Sequence, residues 1–272
     1  MDTPSISPLF QNKHYRKEAV FRPQNLLRET RRQKSLPRGN VPPVCVLDPD
    51  GDMVRHLVRN QLAERNPAWA CYHTDLYQFR RNGQMFGVIG CAVGGSFAVL
   101  LAEQLFVSGC RLLVSMTSAG QILPVRPPPY FVLIERALRD EGTSHHYLPP
   151  ARYARLGRAL DLALKRGLKS FTPPVERGIA WTTDAPYRET AEAIAAARGE
   201  GVLAVEMEAA SLYAFAEAKR KPVVCFAHIT NQMGVVEGDF EKGEADGSVE
   251  SLRLIEAVAA CWRNPRPRTR RS

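Results

Sequence analysis

The sequence has no long hydrophobic run, no apolar N-terminal core and no closely spaced cysteines. Its 272 residues include no apolar stretch of the ~18 residues that a transmembrane helix requires, so we expect no membrane partner. The N-terminus also lacks the apolar core of a secretory signal peptide. The six cysteines show no Cys-x-x-Cys spacing, which gives no support to zinc-ribbon or thioredoxin-like chemistry. We therefore expect a cytoplasmic protein with reduced thiols.

Positive charge is unevenly distributed along the chain. The formal net charge is +9, but residues 1–42 hold nine basic and three acidic residues, and residues 263–272 hold five arginines and no acid. The part between them carries a balance of −2. Because the basicity belongs to the ends rather than to a folded groove, nucleic acid is not the expected partner. We expect a basic arm (1–43), a single domain (44–262) and a disordered basic tail (263–272).

Short β-branched runs alternate with helix-period segments after the arm. Apolar runs near residues 44, 86, 112, 178, 202 and 222 predict strands, and residues 96–106, 131–138 and 151–165 show helix patterns. This alternation predicts an α/β fold, a three-layer α/β/α sandwich around a mostly parallel, mixed sheet. Ligands of such sheets bind at the carboxyl ends of the strands. Polar and glycine-containing segments that follow the predicted strands are therefore the candidate site.

Two carboxylates, Glu206 and Glu208, lie where one apolar run enters a helix pattern. Burying a carboxylate is costly unless it meets hydrogen-bond donors, and the vicinal hydroxyls of a sugar are such a pair. Alternatively, both side chains lie in the first turn of a helix and interact favourably with its dipole. On spacing alone, the second interpretation is favoured.

The hexapeptide Val205–Ala210, which reads Val-Glu-Met-Glu-Ala-Ala, resembles the ribose-binding signature of the purine nucleoside and uridine phosphorylase family. The resemblance continues in order from about Val44 to about Cys261. It implies that Met207 packs on the ribose and that Glu208 accepts hydrogen bonds from the ribose hydroxyls, with Glu206 beside them.

The same resemblance implies an enzyme, a pentosyltransferase similar to uridine phosphorylase-like members. Its substrate would be a small-molecule nucleoside, with inorganic phosphate as co-substrate and no cofactor or metal. Adjacent histidines, His145 and His146, lack a third ligand and do not suggest a metal site. The family forms homo-oligomers, dimers or hexamers, whose N-terminal segment lends a histidine to a neighbouring subunit. His14 is the candidate for that histidine here.

The expected phosphate site resembles the family's in part. Gly51-Asp52-x-x-Arg55 is similar to the family's Gly-Asp-Pro-x-Arg loop, which makes Gly51 and Arg55 the expected phosphate ligands. However, two of the family's arginine positions are Val114 and Thr74 here, which we expect to weaken phosphate binding on the order of a hundredfold. Several Asp residues near the loop would also repel phosphate. Further expected substrate contacts come from the hydroxyl-bearing end of a strand and from a glycine turn: Thr117, Ser118 and Gly94.

The expected base pocket is the least defined part. Asp184 and Tyr187 match the family's base-pocket segment. Uridine phosphorylases place a Gln and an Arg soon after this segment to read the base, and Arg188 lies nearby here with a different spacing. Asn231 stands where purine-specific members carry an Asp that protonates the base. Because an amide cannot donate a proton in that way, Asn231 favours a pyrimidine or an unusual base. The expected catalytic residues are Asn231, Glu208 and Arg55.

Two other functions remain open at this point. Since arginines are missing from the expected phosphate site, water could replace phosphate and make the protein a nucleosidase. A catalytically inactive nucleoside- or nucleotide-binding module is the other possibility. Dependence of the reaction on phosphate separates the first from phosphorolysis, and binding without base release identifies the second.

Overall fold

The computed structural model describes residues 7–233 and 237–263. These residues form a mixed sheet with helices on both of its faces, together with two short 3-10 turns. The strands are β1 (Val44–Asp48), β2 (Ala63–Arg65), β3 (Tyr77–Arg81), β4 (Gln84–Gly90), β5 (Leu112–Gln121), β6 (Tyr130–Asp140), β7 (Tyr153–Arg155), β8 (Glu176–Thr183), β9 (Val202–Glu206) and β10 (Val223–Asn231). The helices are α1 (Pro23–Gln33), α2 (Asp52–Arg59), α3 (Gly95–Val107), α4 (Ser144–Tyr147), α5 (Arg158–Gly167), α6 (Ala191–Gly199), α7 (Ala209–Lys219) and α8 (Ser248–Arg263).

The sheet has the strand order β10-β6-β8-β9-β5-β1-β4-β3-β2, with β7 beside β6 and a second pairing between β10 and β5. Strand β5 is central, because it runs parallel to both β1 and β10 and also meets β9. Helices α1, α3, α4 and α7 pack together, and α2, α5 and α8 form the other group. The predicted three-layer α/β fold with a mixed sheet is therefore confirmed.

The predicted helix over residues 131–138 is wrong, because this segment is the strand β6. Strand β6 pairs with β10 and β8 at its two edges, and its first five residues are all buried, so both of its faces are covered there. A strand buried on both faces is continuously apolar and loses the period-two alternation that distinguishes strands from helices. The helix predicted over 151–165 is also partly wrong: β7 occupies its start, and α5 begins at Arg158.

The N-terminal arm packs on the domain over its described part. Helix α1 begins at Pro23, as the position of this proline predicts, and buries Leu27. Further upstream, the Phe10 ring meets the edge of the His145 ring at 5.0 Å, and Lys13 Nζ lies 3.0 Å from His146 Nδ1. The tail beyond Arg263 lies outside the described residues.

Helix α7 is fixed to two strands through one buried side chain. The Tyr213 hydroxyl donates to the Ile134 carbonyl at 2.6 Å and accepts from the Cys225 amide at 3.0 Å. It thereby ties α7 to both β6 and β10. Across the described ranges, no helix is both long and apolar enough to cross a membrane.

Candidate active site

The candidate site lies where several strands end side by side. Strand register places Gly120 of β5 opposite Val205 of β9 and opposite Asn231 of β10, and it places Ser118 opposite His228. The parallel neighbours β1, β5 and β10 direct their carboxyl ends to the same edge of the sheet. The sheet thus brings together the loop after β1, the hydroxyl residues of β5 and the acidic segment after β9.

Glu206 is a structural carboxylate at the start of α7. Its Oε2 accepts hydrogen bonds from the Glu208 amide at 2.8 Å and the Ala209 amide at 2.7 Å. Its Oε1 accepts from the Thr182 hydroxyl. Burial, and then the neighbouring Glu208, raise the pKa of this carboxyl. Glu206 therefore satisfies the first amides of a helix, as the dipole interpretation predicted for both carboxylates, and both its oxygens are used by the protein.

Glu208 differs from Glu206 in its hydrogen bonding, although it too is buried, with only 1% of its surface exposed. Its Oε1 accepts a hydrogen bond from the Gly94 amide at 2.7 Å, whereas its Oε2 has no hydrogen-bond partner among the described residues. Burial raises the pKa of this carboxyl, the Gly94 amide opposes that shift, and Asp50 adds to it. The Thr117 hydroxyl lies close enough to lower the pKa of Glu208, although this hydroxyl donates to the Ser118 carbonyl at 3.2 Å. A buried oxygen without a donor is costly, which makes Oε2 of Glu208 a candidate acceptor for a ligand hydroxyl.

Gly94 and Gly95 let the start of α3 approach Glu208. Gly94 has a φ of 86°, which an L-residue rarely adopts, and its amide holds Glu208. A Cβ at Gly95 would overlap the Ser211 hydroxyl of α7. The turn thus brings its backbone close to the Glu208 carboxylate, and the expected contact of Gly94 with a substrate stays a prediction.

The loop between β1 and α2 holds Gly51 and Arg55. Gly51 has a φ of 77°, and a Cβ there would lie 2.8 Å from Arg55 Nη1. Arg55 donates to the Asp50 carbonyl at 2.8 Å and pairs with the Asp52 carboxylate. A cavity of about 280 Å³ is lined by Gly51 and Arg55 together with Thr74 and Cys91.

Carboxylates dominate the other side of this loop. Lys242 Nζ lies 2.7 Å from Asp50 Oδ2 and 2.6 Å from Asp52 Oδ2. Asp48 accepts from the Val54 amide at 3.0 Å, and burial, reinforced by Asp50 and Asp52, raises the pKa of Asp48 to about 7. No group of His, Cys, Asp or Glu within the described part of the chain is arranged to hold a metal ion.

Thr117 and Ser118 face a separate, smaller cavity of about 20 Å³. Ser118 Oγ lies 2.8 Å from Thr230 Oγ1. The predicted phosphate ligands therefore divide between two cavities, with Gly51 and Arg55 on the larger one. The smaller cavity is further lined by Asp48, Asp50, Asp52, Met53, Met116, His228, Asp246, Ser248 and Ser251.

The predicted base-pocket residues are only partly brought together. Asn231 is buried, and its Oδ1 accepts from the Met233 amide at 2.9 Å. Asp184 accepts from the Gly142 amide at 2.8 Å. In contrast, Tyr187 is fully exposed and Arg188 is exposed beside it, so neither contacts the residues around Glu208. Met207 is half-buried at the entrance to α7.

Sequence reasoning missed two residues near the site. Lys242 pairs with Asp50 of the β1–α2 loop. Met233 lies beside Gly120 of β5, because a Cβ built on Gly120 would come within 2.5 Å of Met233 Sδ. Both follow β10, and the one available signal was the polar, glycine-containing character of that segment. The His228 ring stacks on the Phe131 ring, with 4.6 Å between the ring centroids.

Solved structures of known proteins share this fold. Uridine phosphorylase from Vibrio fischeri ES114, complexed with 6-hydroxy-1-naphthoic acid, superposes with a TM-score of 0.69 at 19% identity, covering 82% of this chain and 92% of that chain. A second structure of that enzyme gives a TM-score of 0.68 at 19% identity, over 82% and 93% of the two chains. At this identity the likeness shows the fold.

The family is shown by a match in sequence rather than in shape. The model of the phosphorylase superfamily matches residues 43–260, which include every strand and the whole group of residues around Glu208. The chain belongs to the phosphorylase superfamily.

Proposed function

We propose that this protein cleaves the N-glycosidic bond of a nucleoside by phosphorolysis and releases the free base and ribose 1-phosphate. Membership of the superfamily supports an enzyme of nucleoside phosphorylase type, a pentosyltransferase. The observation that carries the proposal within the site is the buried Oε2 of Glu208, which finds no hydrogen-bond partner in the part of the chain that the structure describes. A ribose hydroxyl supplies the donor that this oxygen lacks.

Glu208 would act both in binding and in the transition state. Its Oε1 is fixed by the Gly94 amide, so the carboxylate keeps one orientation while Oε2 accepts from a ribose hydroxyl. As the bond to the base breaks, positive charge develops on the pentose ring. A preorganised carboxylate in a buried site stabilises that charge more than water does. Met207 would pack against the sugar beside it.

The reaction needs a nucleophile and a leaving base on opposite sides of the sugar. Phosphate, positioned by Gly51, Arg55 and Thr117, would attack C1′, and the electron pair of the C1′–N bond would pass to the base. Asn231 would polarise that base through its amide. Because Asn231 cannot act as an acid, we propose a pyrimidine nucleoside as the substrate.

The wider setting follows from the same proposal. We expect a cytoplasmic homo-oligomer, a dimer or a hexamer, that needs no cofactor. His14, which is exposed on the arm, remains the candidate to reach a neighbouring subunit.

A nucleoside panel assayed with and without phosphate tests the proposal. We expect uridine or a related pyrimidine nucleoside to give ribose 1-phosphate only when phosphate is present, and inosine to react much more slowly. Release of base from purines alone would contradict the choice of base. Absence of base release from every nucleoside, with thermal shifts on binding, would contradict catalysis.

Hydrolysis is a second candidate, and a specific observation favours it. The cavity beside Thr117 measures about 20 Å³, which suits a single water molecule, and it is lined by Asp48, Asp50 and Asp52. Carboxylates at this position repel phosphate and can accept a proton from water. Under this candidate, free ribose appears at the same rate in phosphate-free buffer as in phosphate buffer.

A further inference from the structure

The segment between β10 and α8 brings a lysine back to the strand ends. The Glu241 amide donates to the Thr230 carbonyl at 2.7 Å, which fixes this segment beside the last residues of β10. Thr230 also contacts Ser118 through their hydroxyls at 2.8 Å. Lys242 is the next residue along the segment, so its position is set relative to the hydroxyl residues of β5.

Two positive charges converge on a single carboxylate in the β1–α2 loop. Arg55 pairs with Oδ1 of Asp52, and Lys242 Nζ lies 2.6 Å from Oδ2 of the same side chain. Asp50 holds Lys242 from another direction at 2.7 Å. An anion is therefore bound between a guanidinium and an ammonium, and that anion belongs to the protein.

Two positive side chains of the described residues contact this loop. Within the described residues, Arg55 and Lys242 are the Lys and Arg side chains that hydrogen-bond to the loop. Burial alone would lower the pKa of Lys242, but the hydrogen bonds that it donates to Asp50 and Asp52 outweigh this effect and raise the pKa, so the ammonium stays charged. An ammonium has three N–H donors, and the two Asp residues use two of them.

Lys242 also lies close to the small cavity that Thr117 and Ser118 line. His228 lines the same cavity, and the charge of Lys242 contributes to lowering the pKa of His228 to about 4, after the larger effect of burial. Asp52, which lines the small cavity, pairs with both Lys242 and Arg55, and Arg55 lines the larger cavity, so Lys242 lies near both sides of the divided site. A phosphate that contacts both sides would lie next to this ammonium.

We propose that Lys242 is a phosphate-binding residue of the nucleophile site, acting together with Arg55, and that the Asp52 carboxylate holds the two cations in place until phosphate binds between them. This inference rests on the proposed phosphorolysis. It assigns to the segment after β10 a direct role in selecting the nucleophile. Phosphate would form charge-assisted hydrogen bonds with Arg55 and Lys242. It would replace the Asp52 carboxylate, rather than water, as their partner.

The test compares Lys242→Met, Lys242→Arg and the control Lys219→Met in a steady-state assay that varies phosphate and nucleoside separately. Lys219 lies on α7 and pairs only loosely with Glu103, at 3.9 Å. We expect Lys242→Met to raise the KM for phosphate about tenfold or more and to leave the KM for the nucleoside within about twofold. Lys242→Arg should restore most of the phosphate affinity, and Lys219→Met should change neither constant.

A binding measurement keeps the test independent of turnover. Phosphate should raise the Tm of the wild type and of Lys219→Met, and this rise should be lost in Lys242→Met. Asp52→Asn, which removes the competing charge, should lower the KM for phosphate. An unchanged KM for phosphate in Lys242→Met, or parallel changes in kcat and both KM values, would overturn the inference and leave phosphorolysis standing. A wild-type rate that ignores phosphate, with no phosphate-induced rise in Tm, would overturn phosphorolysis and the inference together.

Discussion

The two sides of the candidate site both contain carboxylates, but they differ in how the charge is satisfied. On the proposed ribose side, Glu208 keeps one buried oxygen without a donor among the described residues. On the proposed nucleophile side, Asp50 and Asp52 are paired with Lys242, and Asp52 also with Arg55. An unmatched acceptor marks where a neutral donor such as a hydroxyl binds. A matched ion pair marks where an incoming anion must compete.

A second contrast exists within the ribose side itself. Glu206 and Glu208 are two residues apart, and both are buried, yet the first is saturated by protein donors and the second is not. The comparison predicts that one carboxylate serves stability and the other serves function.

Replacing Glu206 by Ala should destabilise the protein strongly. The change leaves the amides of Glu208 and Ala209 and the Thr182 hydroxyl without their acceptor in a buried place. We expect the free energy of unfolding to fall by roughly 3 kcal/mol in urea denaturation. Glu217→Ala, an exposed change on the same helix, is the control and should stay within about 0.5 kcal/mol. A loss below about 1 kcal/mol for Glu206→Ala would remove the contrast with Glu208.

Replacing Glu208 by Gln should affect activity rather than stability. The amide retains an oxygen for the Gly94 amide but removes the charge that faces the sugar. We expect kcat/KM to fall about 100-fold or more, since a charge-assisted contact and transition-state stabilisation are lost together. The Tm should not decrease, because a buried and unpartnered charge disappears. Full activity in this variant, measured beside Glu217→Gln, would refute the role of Glu208.

Replacing Asp48 by Asn should make stability less dependent on pH. The pKa of Asp48 is about 7 in the folded protein and 3.8 as its ordinary value, so folding favours the protonated form. The contribution of Asp48 to stability is therefore fully present below pH 3.8 and is lost as the pH rises through 7. We expect Asp48→Asn to gain about 2 kcal/mol relative to the wild type between pH 5 and pH 8 in urea denaturation.

Asp75→Asn, which changes an exposed carboxylate paired with Arg65, is the control for that experiment. Equal differences between Asp48→Asn and the wild type at both pH values would show that Asp48 is not a source of the pH dependence. The same pattern in Asp75→Asn would show that the method responds to any lost carboxylate.

Local sequence signals predicted the elements that local forces decide. Helix α1 begins at Pro23 as predicted, and the strand near Val44 and the strand-to-helix passage at Glu206 were found in their places. Residues 131–138 were misassigned because burial on both faces removes the alternation that identifies a strand. The hydrophobic pattern of a segment reflects how it is buried, and a fully buried strand and a buried helix can show the same pattern.

Only the part of the site that lies in the Val205–Ala210 hexapeptide was predictable from the sequence. Spacing could not separate the roles of Glu206 and Glu208, because the difference depends on which carboxylate meets the amides of α7. The pairing of Lys242 with Asp50 joins residues 192 positions apart and has no local signature. The exposed position of Tyr187 likewise depends on how the turn after β8 folds.

The hydroxyl of Tyr213 limits how such an enzyme can change. It anchors α7 to the backbone of β6 and β10, and Glu208 stands immediately before that helix. Sliding α7 to fit a different pentose would break these main-chain hydrogen bonds at once. A new sugar preference is therefore expected to arise from substitutions around a fixed Glu208 carboxylate, for example at the half-buried neighbour Met207.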